Sequence, residues 1–241
     1  MRKLLFLLFI VFVSSINAQG IESVQWIAKF GAAGGFTPMV MFPDFEELNK
    51  SVSSFGVDNF GNGLITYGGG GYAYIMLIDN VRIGGFGFGG SKNSKKNIQG
   101  IRKEVNYSIG GGAFTIEYTL PFINGLAVSI GGLFGGGSIN IDVYQNEGSF
   151  EWFNVWNNLN GGNSNNIHKH LENNFFTFAP TLNVDVPLNR FIAFRLGTGY
   201  QLTFGNSWTI DNDQELKNVP GSLNGNAFFI QTGVFIGLFA F

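Results

Sequence analysis

Phe191-Ile192-Ala193-Phe194-Arg195-Leu196-Gly197-Thr198-Gly199-Tyr200-Gln201-Leu202-Thr203-Phe204-Gly205 sets large or β-branched residues against small or polar ones at every second position. Ile192, Phe194, Leu196, Thr198, Tyr200, Leu202 and Phe204 share one parity, and Ala193, Arg195, Gly197, Gly199, Gln201 and Thr203 share the other. Strand side chains alternate between faces, so this segment is a strand with one greasy face and one small or polar face. Phe176–Val186 repeats the pattern: Phe176, Phe178, Leu182, Val184 and Val186 face one way, and Thr177, Ala179, Thr181, Asn183 and Asp185 the other. Alternation alone fits a soluble sandwich with its greasy face inward as well as a barrel with its greasy face in lipid. The connections separate them.

Similar patterns place strands near 24–38, 63–78, 81–91, 102–120, 125–144, 175–187, 190–205 and 225–241. Tight turns at Asp79-Asn80, Pro121–Asn124 and Leu188-Asn189 alternate with long segments near 39–62, 92–101, 145–174 and 206–224. Short connections at one end and long ones at the other are the rhythm of an up-and-down barrel in a membrane. Composition agrees: hydrophobic residues make up 45%, charged residues only 12%, and Phe occurs 27 times. A soluble domain carries about twice that charge. No apolar stretch after residue 18 approaches the ~20 residues of a spanning helix, whereas barrel strands need an apolar residue only at alternate positions. The expected fold is therefore all-β: a closed antiparallel up-and-down transmembrane β-barrel of about eight strands.

The first eighteen residues read as an address. Arg2 and Lys3 precede the apolar run Leu4–Val13, and Ser14–Ala18 ends on a small residue, the pattern of a secretory signal cleaved after Ala18. Residues 19–241 are then expected to form one barrel domain. There is no cysteine, which excludes a disulfide framework and lipid attachment through an N-terminal Cys. Loss of Arg2 and Lys3 moves the net charge from −2 to −4, too mild to argue for nucleic acid.

The end of the chain, Phe228–Phe241, is an apolar strand closing on a terminal Phe. Here the sequence resembles bacterial outer-membrane proteins, whose last strand commonly ends in Phe and is read by the barrel-assembly machinery. With the signal and the loop rhythm it is similar to the small eight-stranded members of that class. The resemblance implies residence in the outer membrane after export, contact with its lipid, and Phe241 as the assembly signal. Gly233 and Gly237 interrupt the parity of Phe235, Phe239 and Phe241, so the phase of this strand stays open.

Glycine occurs 36 times, with runs inside the expected strands at 68–71, 84–90, 110–112 and 131–137. No GKS or GKT follows in a strand-to-helix context, so these are not phosphate loops. Clustered strand glycine marks bulges, sharp coiling or close approach. At Gly110–Gly112 the greasy parity changes from odd (Val105, Tyr107, Ile109) to even (Phe114, Ile116, Tyr118), which is expected to reflect one bulged residue.

Residues with chemistry are sparse. His168 and His170 flank Lys169 in the 145–174 segment without a third ligand at supportive spacing, Glu172 being merely nearby, and Ser164 lies too close in sequence to argue a nucleophile–base pair. Asp211, Asp213 and Glu215 begin like a calcium loop, but Leu216 and Ser222 stand where its glycine and bidentate glutamate belong. Glu117, Asp185 and Arg195 sit on the polar parity and are the candidates for a lumen-facing charge network, since eight-stranded barrels fill their interiors with side chains. Phe150, Trp152, Phe153 and Trp156 form a loop aromatic cluster suited to a membrane rim or to an apolar or glycan ligand. Lys92, Lys95, Lys96, Arg102 and Lys103 could meet lipid phosphate or water. In the first long loop, Pro43 and Asp44 suggest a helix start, and Phe45, Leu48, Val52 and Phe55 give one greasy stripe. That helix is expected to fold over the barrel mouth as a lid, into room left by Gly197, Gly199, Gly71 and Ala73, and its removal to raise conductance.

Taken together, the sequence reads as a non-enzymatic outer-membrane barrel, structural or interaction-bearing through its outer loops, with no cofactor or metal. The alternatives are a narrow pore or carrier for small molecules, hydrophobic ones included, and an outer-membrane lipid-modifying enzyme. A small-molecule ligand, if there is one, is not identified by any motif.

Overall fold

The computed structural model describes residues 30–75, 77–123, 126–148, 152, 166–205 and 207–240. The leader 1–18, Phe150, Phe153, Trp156, Ser164 and Phe241 lie outside the described residues. The strands are β1 (Phe30–Phe36), β2 (Met39–Pro43), β3 (Leu64–Tyr74), β4 (Val81–Ile98), β5 (Ile101–Thr119), β6 (Ala127–Glu147), β7 (Ile167–Pro187), β8 (Ile192–Phe204), β9 (Trp208–Ile210), β10 (Gln214–Glu215) and β11 (Ala227–Ala240). A helix, α1 (Glu46–Phe55), follows β2. No helix among the described residues is long and apolar enough to cross a membrane, which leaves crossing by strands untouched.

β1 and β2 are two halves of one stave. Both pair with β11 at the same offset, from Phe30↔Ala240 through Gly35↔Phe235 to Met39↔Gln231 and Pro43↔Ala227. Pro38 interrupts them because it has no N–H to give the ladder, though its carbonyl still accepts from Thr232 N at 3.0 Å. Neighbours then run antiparallel in chain order through β3 to β8, and β8 pairs with β11. The result is a closed up-and-down barrel of eight staves, with the short β9–β10 hairpin added beside β7 above the ring. Closure leaves no open edge, and in lipid each unpaired backbone group costs several kcal/mol.

Short connections at 75–80, 120–126 and 188–191 define a turn end. The strand ends flanking 44–63, 148–166 and 205–226 lie at the opposite, loop end. The segment 92–101, expected to be a long loop, is instead the tip of a long hairpin. Its ladder runs unbroken from Val81↔Tyr118 to Ile98↔Ile101. Gln99 (φ 52°) and Gly100 (φ 85°) make the two-residue turn, both in the left-handed conformation that suits the twist of flanking strands. Likewise strand continues to Glu147 and resumes at Ile167, so His168 and His170 stand on β7 rather than in a loop.

The expected bulge at Gly110–Gly112 is absent: β5 pairs with β6 at one offset from Ile101↔Glu147 to Thr119↔Ser129. The parity of facing never changes. What changes is the surroundings. Toward the turn end, outward Phe114, Ile116 and Tyr118 are exposed while inward Thr115, Glu117 and Thr119 are buried. Toward the loop end, inward Val105, Tyr107 and Ile109 are buried and the outward residues are Arg102, Glu104, Asn106 and Ser108. β6 and β7 change at the same level. Outward Ile130 and Phe134 give way to Ser138, Asn140 and Asp142, and outward Leu182 and Phe176 to Glu172 and His170. The molecule thus has two storeys, one with lipid outside and polar groups inside, one with water outside and an apolar core inside. The lower storey on β7, Phe176–Val186, matches the ~9–11 residues a tilted strand needs to cross a bilayer.

Sharp coiling explains the glycine runs. A Cβ on Gly84 would lie 2.1 Å from Gly71 O, and one on Gly135 would lie 2.0 Å from Gly112 O. Neighbouring strands approach too closely there for any side chain. Along β11, Phe229, Gln231 and Phe235 are buried inward while Phe228, Ile230, Val234, Ile236 and Leu238 are exposed outward, which sets the phase of the last strand.

Leu196, exposed on the lower outer face, and Asn140, on the upper outer face, make a paired test. Leu196→Arg should lose about 2–4 kcal/mol in folding titrations into lipid, if it lies near the midplane, while Asn140→Arg stays within about 0.5 kcal/mol. Equal sensitivity at the two positions would contradict the two-storey arrangement.

Candidate functional site: a charge-locked bore beneath an apolar, helix-covered mouth

In the lower storey the barrel wall brings Glu117, Asp185 and Arg195 together around a fourth charge, Arg82. All four are buried, Arg82 to 1% exposure. Arg82 donates through Nη1 to Asp185 Oδ2 at 2.6 Å, through Nη2 to Ser129 Oγ at 2.8 Å, and through Nε to Glu117. Arg195 grips Asp185 with two bonds, Nε to Oδ1 at 2.6 Å and Nη2 to Oδ2 at 3.0 Å, and reaches Glu117 Oε1 at 3.2 Å. Asn183 Nδ2 donates to Glu117 at 3.1 Å, and Gln231 Nε2 donates to Asn183 Oδ1 at 2.9 Å. Both guanidinium groups also lie over the Tyr72 ring, at 4.5 and 5.0 Å from its centroid.

Arg82 and Asp185 belong to β4 and β7, and Glu117 and Arg195 to β5 and β8. Neither pair is on adjacent staves, so these side chains span the bore. The space left beside them is about 20 Å³, room for about one water. Two cations and two carboxylates cancel in charge, and bidentate geometry suits burial of arginine with carboxylate.

The sequence did not reveal Arg82, because parity is illegible on β4, where Gly85, Gly87 and Gly89 occupy the outward positions. The expected room at Gly197 and Gly199 is filled from within the barrel. A Cβ on Gly197 would meet Asn183 Oδ1 at 2.1 Å, and one on Gly199 would meet Phe229 Cζ at 2.6 Å. On β3 the inward residues are Tyr72 and Tyr74, both buried, whereas Ala73 is exposed on the outer face with Gly71 on the same parity. Neither site receives the helix.

α1 sits higher, over the loop end. Its first turn begins at Glu46 rather than at Pro43, which is still in β2, and Asp44 Oδ1 accepts from Glu46 N at 2.9 Å. Phe45, Leu48 and Val52 are buried, and Phe55 is half-buried against the same cluster as Val105, Tyr107 and Ile141. Phe45 meets Tyr107 edge-on at 5.0 Å. Asn49 clips the helix to the returning chain, donating to Phe60 O at 3.1 Å and accepting from Phe60 N at 2.7 Å.

Most of the lysines expected at lipid phosphate serve the molecule itself. Lys92 donates to Gly61 O and Gly63 O at 2.5 and 2.7 Å, Lys96 pairs with Asp58 at 3.0 Å, and Lys103 donates to Phe55 O at 3.0 Å. Arg102 pairs with Glu104 at 2.7 Å. The β4–β5 hairpin thereby holds the helix loop down.

His168 and His170 project outward above the apolar belt and share Asp142 Oδ1, at 3.2 and 2.7 Å. His168 also stacks on Tyr144 at 4.4 Å. The sequence showed no partner for these rings because Asp142 comes from the neighbouring stave. No group of three or more His, Cys, Asp or Glu suited to a metal occurs among the described residues. Asp211 is engaged by Lys169 Nζ at 2.5 Å, which holds its carboxyl below the usual carboxylate range, and it also accepts from His170 N. Asp211 and Asp213 turn the β9–β10 hairpin with φ of 53° and 56°. Trp152 is 80% exposed.

Fold and interior together define a transmembrane β-barrel of eight staves with a filled bore. Solved structures similar in shape include the following. A major outer membrane protein from Thermus thermophilus is 7% identical, with a TM-score of 0.45 over 85% of this chain and 99% of that one. Ail, the attachment invasion locus protein of Yersinia pestis, seen with the heparin analogue sucrose octasulfate, is 8% identical, with a TM-score of 0.43 over 87% and 97%. The outer membrane protease OmpT of Escherichia coli is 8% identical, with a TM-score of 0.38 over 90% and 99%. Similarity at this level reaches no ligand or activity. No protein-family profile matches the sequence, and no curated protein matches it either.

Arg82→Met should cost about 3–5 kcal/mol in urea titrations of the lipid-embedded barrel, because it strands two buried carboxylates with one cation. Adding Glu117→Gln restores neutrality around Arg195 and Asp185 and should recover a substantial part. A single variant as stable as the parent would show that the cluster does not hold the bore together.

Proposed function

We propose that the chain is an exported, non-enzymatic protein of the bacterial outer membrane, whose barrel is a closed support and whose role is exercised at its loop end. The observation that carries this reading is the side-chain bridge from β4 to β7 and from β5 to β8 across the bore. Above it lies a second barrier, the apolar packing of Tyr107, Ile109, Ile139, Phe175 and Phe229. A lid over an open channel would need neither. Short turns face the periplasm and the longer connections face outward, as in barrels of this architecture. The leader would direct export, the strand ending at Phe241 would engage the assembly machinery, and outer-membrane lipid would cover the apolar belt.

On the outer face two histidines, His168 and His170, tie neighbouring staves together. Both rings are turned to Asp142, and one is stacked on Tyr144, so they fasten β6 to β7.

The test is single-channel recording of full-length protein purified from the outer-membrane fraction into planar bilayers. Intact protein should stay at background current. A variant lacking residues 44–57 should fold and stay there too, because the charge cluster lies below the helix. Stepwise conductance from the intact protein would overturn the closed-barrel reading, and recovery of folded protein from the soluble periplasm would overturn the location.

A further inference from the structure

Between α1, the upper inner ends of β5–β7 and the segment 216–223 lies a cleft of about 390 Å³, within the size range of small-molecule sites. Leu48, Val52, Ile141, Val143, Leu171 and Leu223 are among its walls. Phe55 is the one aromatic among the described residues that line it, so the lining is aliphatic and suits a flexible hydrocarbon chain better than a flat ring. The packed residues beneath it, Tyr107, Ile109 and Ile139, make it a blind end.

Its mouth has a sign. Of the two charged residues described there, Glu47 shares Lys50 with Glu46, at 2.6 and 3.1 Å, and is turned to that pairing on the helix. Lys217 is 73% exposed, and its nearest carboxylate, Glu215, is 3.8 Å away and 78% exposed, so little holds the pair together in water. Ser51 and Asn218 add hydrogen-bonding groups to the lining. A greasy interior with a cation at the entrance is complementary to a single-chain amphiphile with an anionic head.

We propose that this cleft binds a long-chain fatty acid or an acyl compound with the same carboxylate-headed chemistry. The hydrocarbon tail lies between α1 and the inner face of β5–β7, and the carboxylate lies at Lys217. This deepens the reading of a closed barrel that acts at its loop end, and it rests on that reading. The site binds and presents its ligand, since the floor gives no passage through the barrel.

The test uses full-length protein in lipid nanodiscs, with empty nanodiscs as the control and carboxyl-¹³C palmitate as the probe, followed by NMR. The expected result is a saturable signal beyond the empty discs, approaching one palmitate per protein. Lys217→Glu, a change at an exposed loop position, should weaken palmitate by about five-fold, the size of an exposed charge interaction, and leave hexadecanol unchanged. Ile141→Trp, which fills the cleft, should abolish both if the variant keeps the parent's folded gel mobility. Uptake no greater than in empty discs overturns the site. Palmitate binding indifferent to Lys217→Glu overturns the head-group placement, as does tighter binding of hexadecylamine than of palmitate. Conductance measured on the same preparation separates the two readings. A conducting protein that binds palmitate refutes the closed barrel alone, and a silent protein that does not bind refutes the cleft alone.

Discussion

One constraint organises the molecule: a closed sheet has a single inner face and a single outer face, and both pass from membrane to water along the same staves. Because the ladders never shift register, a residue's parity determines its face from one end of a strand to the other. Polarity must therefore invert in composition rather than in geometry. β5 shows it within one strand, from Val105, Tyr107 and Ile109 packed inside to Phe114, Ile116 and Tyr118 exposed outside. The glycines at 110–112 and 135–137 mark the level of the change, and there a Cβ on Gly135 would lie 2.0 Å from Gly112 O.

Each storey then meets its own difficulty. In lipid the bore is narrow and polar, and its charges are neutralised by one another rather than by water. The Arg82, Arg195, Glu117 and Asp185 cluster, buttressed by Asn183, Ser129 and Gln231, does that. In water the apolar interior needs a cover, and α1 provides it with Phe45, Leu48 and Val52. A helix this short is marginal alone, and it is stabilised by the packing of its stripe and by the lysines that bind its loop to the β4–β5 hairpin. The cover is incomplete beside the 216–223 segment, which is where the cleft opens.

The sequence revealed the parts governed by the lower storey. Phe176–Val186 and Phe191–Gly205 alternate cleanly because lipid demands apolar residues outside; that alternation carried the inward facing of Asp185 and Arg195, and together with the rhythm of the connections it carried the fold class. It misled where the surroundings change. Lys95 and Lys96 looked like a loop because strand residues above the membrane meet water, and the parity change at Gly110–Gly112 looked like a bulge because two environments imitate a shift of register. Arg82 was hidden by the outward glycines of β4, and Asp142 by its distance in sequence from His168 and His170. The helix stripe was legible from its spacing, but what lay beneath it was not. The cleft depends on Leu216, Val219 and Leu223, whose burial is decided by contacts with β6 and α1 that no local pattern announces.

Spin-label accessibility reads the inversion of polarity residue by residue. Single labels at outward Leu182, Ile130 and Asn140 and at inward Ser129 and Ile139 can be read in reconstituted bilayers with oxygen and a water-soluble nickel complex as relaxants. Labels at 182 and 130 should be reached by oxygen and shielded from nickel, the label at 140 should be reached by nickel, and those at 129 and 139 should be shielded from both. Nickel access at 182 and 130 equal to that at 140 would contradict the inversion, because the lower outer face would then lie in water.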